Sequence, residues 1–172
     1  MGFQSSFNQL LATASAGALG YEHIKEQKAS AKLQHTETAG NLAAEGHKIG
    51  LEEEQLDKDK KALNLEHDET MKRVASYNEQ VAKFNENKDN LSKSYRKQRE
   101  NFFDKAYQVL EEEQNRQLQQ ANDIEDRILI LNDRIAVFNK KAEEVNKIGK
   151  QVKSPLKINK YKSLKEVRGG KQ

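Results

Sequence analysis

Between residues 121 and 152 the apolar side chains fall at Ala121, Ile124, Ile128, Leu131, Ile135, Phe138, Ala142, Val145 and Val152, mostly three or four residues apart. This 3.5-residue period belongs to a helix that buries one narrow seam against another helix. The positions between are mainly Asn, Asp, Glu, Arg and Lys, so the remaining faces are solvated. The pattern predicts a coiled-coil helix that requires a partner. Ile124, Ile128, Leu131, Ile135, Phe138 and Val145 are its assembly residues.

The stepping continues upstream through Val74, Tyr77, Val81, Phe84, Lys88, Leu91, Tyr95, Gln98, Phe102, Ala106 and Val109. Lys88 and Gln98 are polar seam positions, which either fix register or mark a place where the helix has left its partner. Residues 85–90 (NENKDN) contain neither Gly nor Pro and the phase runs through them, which predicts helix rather than turn. Residues 111–120 (EEEQNRQLQQ) offer only Leu118 as an apolar contact. If the chain folds back into a helical hairpin, this is the expected place; if it does not, residues 51–148 make a single rod of about 150 Å.

Residues 22–70 carry a thinner stripe. Leu42, Ile49, Leu56 and Leu63 recur every seven residues, but the complementary positions are Gly46, Glu53 and Lys60. That is half a seam. Gly40, Gly46 and Gly50 crowd the same stretch, and each glycine costs a helix interior about 1 kcal/mol relative to alanine. A break or bend near Gly40 or Gly46 is therefore predicted.

The ends differ from the body. No charged residue precedes Glu22, and residues 10–20 (LLATASAGALG) are apolar or small. Leu10, Leu11, Ala12, Ala16, Leu19 and Gly20 are candidates for close helix packing, since small residues four apart let backbones approach, or for conditional membrane contact. The opening Met1-Gly2-Phe3-Gln4-Ser5-Ser6 also fits a myristoylation pattern. At the other end Gly149 is the expected helix C-cap, and Ser154-Pro155 stops further helix. Beyond them Lys153, Lys157, Lys160, Lys162, Lys165, Arg168 and Lys171 form a cationic tail. It is suited to an acidic protein surface, to DNA or RNA phosphates, or to solvent alone.

Composition agrees with an extended helical chain. Of 172 residues 35% are hydrophobic and 33% charged, with no tryptophan and no cysteine. So little apolar surface cannot offset backbone ordering in a compact ball, at about 1–2 kcal/mol per residue. The formal net charge of +3 conceals an acidic early half and a strongly basic end. The expected fold is all-α: an uncharged helical segment (1–21), an acidic helical region with glycine breaks (22–70), heptad helices (71–152) and an extended basic tail (153–172).

Catalytic chemistry has no candidate. His23, His35, His47 and His67 are not at metal-pair spacing, and neither a HExxH nor a phosphate-binding glycine loop occurs. The carboxylates are interleaved with lysines on helix faces. The reading is therefore a non-enzyme with no cofactor, no metal and no small-molecule substrate.

Taken together, the LLATASAGALG terminus, the long Gln/Asn/Glu/Lys-rich body and the basic end Arg168-Gly169-Gly170-Lys171-Gln172 resemble the small internal virion proteins of short-tailed bacteriophages, also called ejection or cargo proteins. The resemblance implies a virion protein assembled in the host cytoplasm and packed beside copies of itself and portal, tail or internal proteins. It further implies release with the genome. Alternatives are a static collar, ring or tail adaptor, a nucleic-acid-associated coiled coil working through the basic tail, and a bacterial envelope or secretion-chaperone coiled coil.

Overall fold

A computed structural model describes residues 21–165 of the chain. They form two long helices, α1 (Tyr21–Asn87) and α2 (Lys93–Gln151), joined by a short 3-10 turn (Lys88–Asn90). No strand occurs among the described residues, so the fold is all-α with an irregular C-terminal segment. Two compact units divide it: residues 21–51 with Leu131–Leu164, and Glu52–Ile130 with Lys165.

In the second unit the two helices run antiparallel from the turn. The turn lies at residues 88–92, within the stretch whose phase predicted continuous helix; residues 111–120, the expected fold-back, are helical. Asn85, Asn87, Asp89, Asn90 and Ser92 are turn-forming residues, but the turn needs neither Gly nor Pro and no left-handed residue: among the described non-glycine residues, only Lys153 has a positive φ. Leu91 is simply extended (φ −95°, ψ 149°). The Ser92 hydroxyl oxygen then accepts the Tyr95 N–H at 3.4 Å, capping the start of α2.

The turn resets the heptad phase. Along α1 the predicted stripe holds: Leu42, Ile49 and Leu56 are buried, and Leu63, Val74, Tyr77, Val81 and Phe84 are half-buried. On α2 the inward positions are Arg96, Arg99, Phe103, Ala106, Leu110, Glu113 and Gln117. The expected seam members Tyr95, Gln98, Phe102 and Val109 are exposed, one residue out of register. Phe103 stacks edge-on against Tyr77 at 5.9 Å and tilts over Phe84 at 5.4 Å, closing the turn end of the pair.

Farther along, a polar layer replaces the aromatic one. Thr70 and Gln117 are buried, and the Gln117 carboxamide donates to the Thr70 hydroxyl oxygen at 2.8 Å. Arg73 donates to the same oxygen at 3.2 Å and meets both oxygens of Glu113 at 2.8 Å. A mismatch in register would strand these groups away from water, so the layer fixes how the helices align. Arg127 and Asp59 pair across this unit at 2.7 Å.

In the first unit α1 runs unbroken through Gly40, Gly46 and Gly50, so the predicted break does not occur. Tertiary packing outweighs propensity here. A Cβ on Gly46 would come 3.0 Å from the Phe138 ring, so this glycine lets the opposite helix approach closely. Helix α2 also ends later than Gly149. Ser154 N–H donates to the Gly149 carbonyl at 2.8 Å and Lys153 N–H to the Lys150 carbonyl at 3.4 Å, with Lys153 left-handed (φ 53°). This is a Schellman closure, carried by lysine where glycine is usual. Gly149 instead faces His35, whose Nε2 would lie 2.8 Å from an added Cβ. The buried His35 sits with that nitrogen 3.1 Å from the Val145 carbonyl.

Candidate functional site: an asparagine ladder holding the C-terminal segment

The chain reverses at Lys153 and runs back along α2 as an extended segment. Three asparagines of α2, seven residues apart, hold it. Asn146 accepts the Ile158 N–H and donates to the Ile158 carbonyl, both at 2.8 Å. Asn139 does the same for Tyr161 at 2.9 and 2.8 Å, and Asn132 for Leu164 at 2.7 and 3.2 Å. Each carboxamide closes a two-point ring with one backbone residue, a pairing that only Asn or Gln, with donor and acceptor side by side, can make.

Matching pitches make the repeat work. Seven helical residues advance about 10.5 Å, while three extended residues advance roughly 9–10 Å. Every third residue of the segment therefore meets every seventh residue of the helix.

Side chains complete the groove. Ile158, Tyr161 and Leu164 are half-buried, whereas the residues between them are exposed. Tyr161 stands edge-on to Phe138 at 5.5 Å, and its hydroxyl donates to the Gly46 carbonyl at 2.7 Å. Lys160 pairs with Glu143, and the ammonium holds that carboxyl below the usual glutamate range.

The sequence-predicted residues distribute as follows. Ile124 and Ile128 are buried in the second unit; Leu131, Ile135, Phe138 and Val145 are buried in the first. Leu10, Leu11, Ala12, Ala16, Leu19 and Gly20 lie outside the described residues, as do Arg168 and Lys171. Lys153, Lys157, Lys162 and Lys165 are exposed and make no ion pair among the described residues. Lys160 is committed to Glu143. No cluster of three or more candidate metal ligands occurs among the described residues, and no described helix is long and apolar enough to cross a membrane.

The ladder was missed from sequence, although its signal is present. Asn132, Asn139 and Asn146 repeat at seven beside the seam, and Ile158, Tyr161 and Leu164 repeat at three beyond Pro155. Neither periodicity is informative alone; their shared pitch is. No protein-family model, curated protein or solved structure matches this chain.

Proposed function

We propose that the protein is a non-enzymatic helical component of a bacteriophage virion, packed in several copies near the portal or tail and acting in genome delivery. The supporting observation is an apolar stripe that the helix pair leaves in solvent. Tyr95, Phe102 and Val109 lie seven residues apart on α2 and are 48%, 52% and 54% exposed. A repeat at heptad spacing on an outer helix face suits a further helix, from another copy or a neighbouring subunit. The phage setting comes from the resemblance of the chain's layout to ejection proteins.

Sedimentation of the protein and of a Tyr95→Glu/Phe102→Glu variant tests the assembly step. The parent forms larger assemblies than the variant at the same concentration; equal masses defeat the reading. Fractionation of particles before and after DNA release tests delivery. Loss of the protein with the genome supports it, whereas retention in emptied particles favours a static collar or ring.

A nucleic-acid reading has one specific observation behind it, the exposed Lys153, Lys157, Lys162 and Lys165 with no described counter-charge. Replacing Lys157, Lys162 and Lys165 by Gln would then weaken DNA binding and flatten its salt dependence by up to about three counterions. Unchanged affinity and slope remove that reading.

A further inference from the structure

We propose that the asparagine ladder is a docking site for an extended polypeptide and that its second occupant is the C-terminal segment of another copy of this chain. The segment exchanges between copies, linking them tail into groove. This goes beyond the assembly reading and does not depend on it.

The groove reads backbone rather than side-chain identity. Asn132, Asn139 and Asn146 spend all six of their ladder hydrogen bonds on the N–H and C=O groups of Leu164, Tyr161 and Ile158. The Tyr161 hydroxyl on Gly46 and the Lys160–Glu143 pair add two further attachments. A segment arriving from a second copy would form every one of these contacts without alteration, so the groove cannot distinguish the two sources.

The hinge tilts the balance. Between the last helical residue, Gln151, and the first rung at Ile158 lie only six residues, Pro155 among them. To return along its own helix the chain must hold Lys153 left-handed at φ 53°. L-residues with side chains resist that conformation, and a strained short hinge is the usual origin of segment exchange. Swinging the segment outward frees Lys153 from that constraint, and docking in a neighbour restores every bond that the opening broke. At low concentration the tethered segment wins through its high effective concentration; crowding of copies shifts the balance to exchange.

The chain has no cysteine, so site-specific crosslinking reads exchange directly. One tagged chain carries Lys160→Cys on the segment, the other Glu143→Cys on the groove, and a short bismaleimide joins them after co-incubation at high concentration. A covalent heterodimer is expected, with a yield that rises with concentration. It should be lost when the groove chain also carries Asn132→Ala, Asn139→Ala and Asn146→Ala. Lys153→Gly in the segment chain leaves the ladder intact, relieves the closed hinge and should lower the yield. The proposal is overturned if the heterodimer persists undiminished with the triple alanine groove. It is equally overturned if none forms while a chain carrying both cysteines crosslinks to itself. Circular dichroism confirms that each variant keeps its helices. Failure here leaves the stripe at Tyr95, Phe102 and Val109 untouched, because its sedimentation test uses neither hinge nor ladder.

Discussion

The Tyr161 hydroxyl donates to the backbone carbonyl of Gly46 across 2.7 Å of space and 115 residues of chain. A helical carbonyl keeps a second lone pair after accepting its own helix bond, and Gly50, one turn on, leaves room for the hydroxyl: a Cβ there would lie 3.4 Å from it. Gly46 thus serves twice: its bare Cα admits the Phe138 ring, and its oxygen anchors the segment that the ladder holds.

Tyr161→Phe keeps the ring against Phe138 and removes only that bond. The net value of such a bond is about 1 kcal/mol, so docking of the segment should weaken by roughly fivefold. Hydrogen exchange at the Ile158, Tyr161 and Leu164 amides reads the change. Undiminished protection would mean that the hydroxyl contributes nothing to docking.

Two glycines of one helix should respond in opposite directions. A Cβ on Gly40 meets nothing within 4 Å, so Gly40→Ala should raise stability by up to about 1 kcal/mol. A Cβ on Gly46 would press on Phe138 at 3.0 and 3.2 Å and touch Tyr161 at 3.4 Å, so Gly46→Ala should destabilise despite the same propensity gain. Thermal denaturation of the pair decides it; a rise in both midpoints would show that the Phe138 ring yields freely.

Ile135 is fully enclosed in the helix seam. Ile135→Asp places a carboxylate there without a partner and should cost several kcal/mol. Urea denaturation followed by circular dichroism should show the midpoint collapse. A small shift would mean that the charge escapes to water.

Acid should loosen the second unit through Asp59. The hydrogen bond from Arg127, then that from Gln55, holds the Asp59 carboxyl below the usual aspartate range. Its stabilising contribution is therefore complete above that range and is lost as the pH falls through the lower folded value. Glu53 acts in the opposite sense: burial raises its carboxyl, so its penalty appears as the pH climbs through that raised value. Asp59→Asn should flatten the acid-side fall in denaturation midpoint, and Glu53→Gln should stabilise near neutrality. Unaltered pH profiles in both variants would remove these groups from the linkage.

The sequence by itself determined that the fold is all-α, that Leu42, Ile49, Leu56, Leu63, Val74, Tyr77, Val81 and Phe84 share the inward face of α1, and that a seam runs from Ala121 to Val145. Those features are local, because a 3.5-residue apolar period survives whatever the helix packs against. The tertiary structure decided where the chain turns, since residues 88–92 reverse it without a glycine, a proline or a left-handed backbone, and their Asn, Asp and Ser are equally at home on a solvated helix face. From that turn followed the one-residue shift that exposes Tyr95, Phe102 and Val109. The tertiary structure also decided what the mid-helix glycines are for, because a close approach is a property of two helices and a single helix records only its cost. Most of all it decided the fate of the C-terminal segment. Asn132, Asn139 and Asn146 look like ordinary surface polar residues until an extended chain of matching pitch is laid beside them.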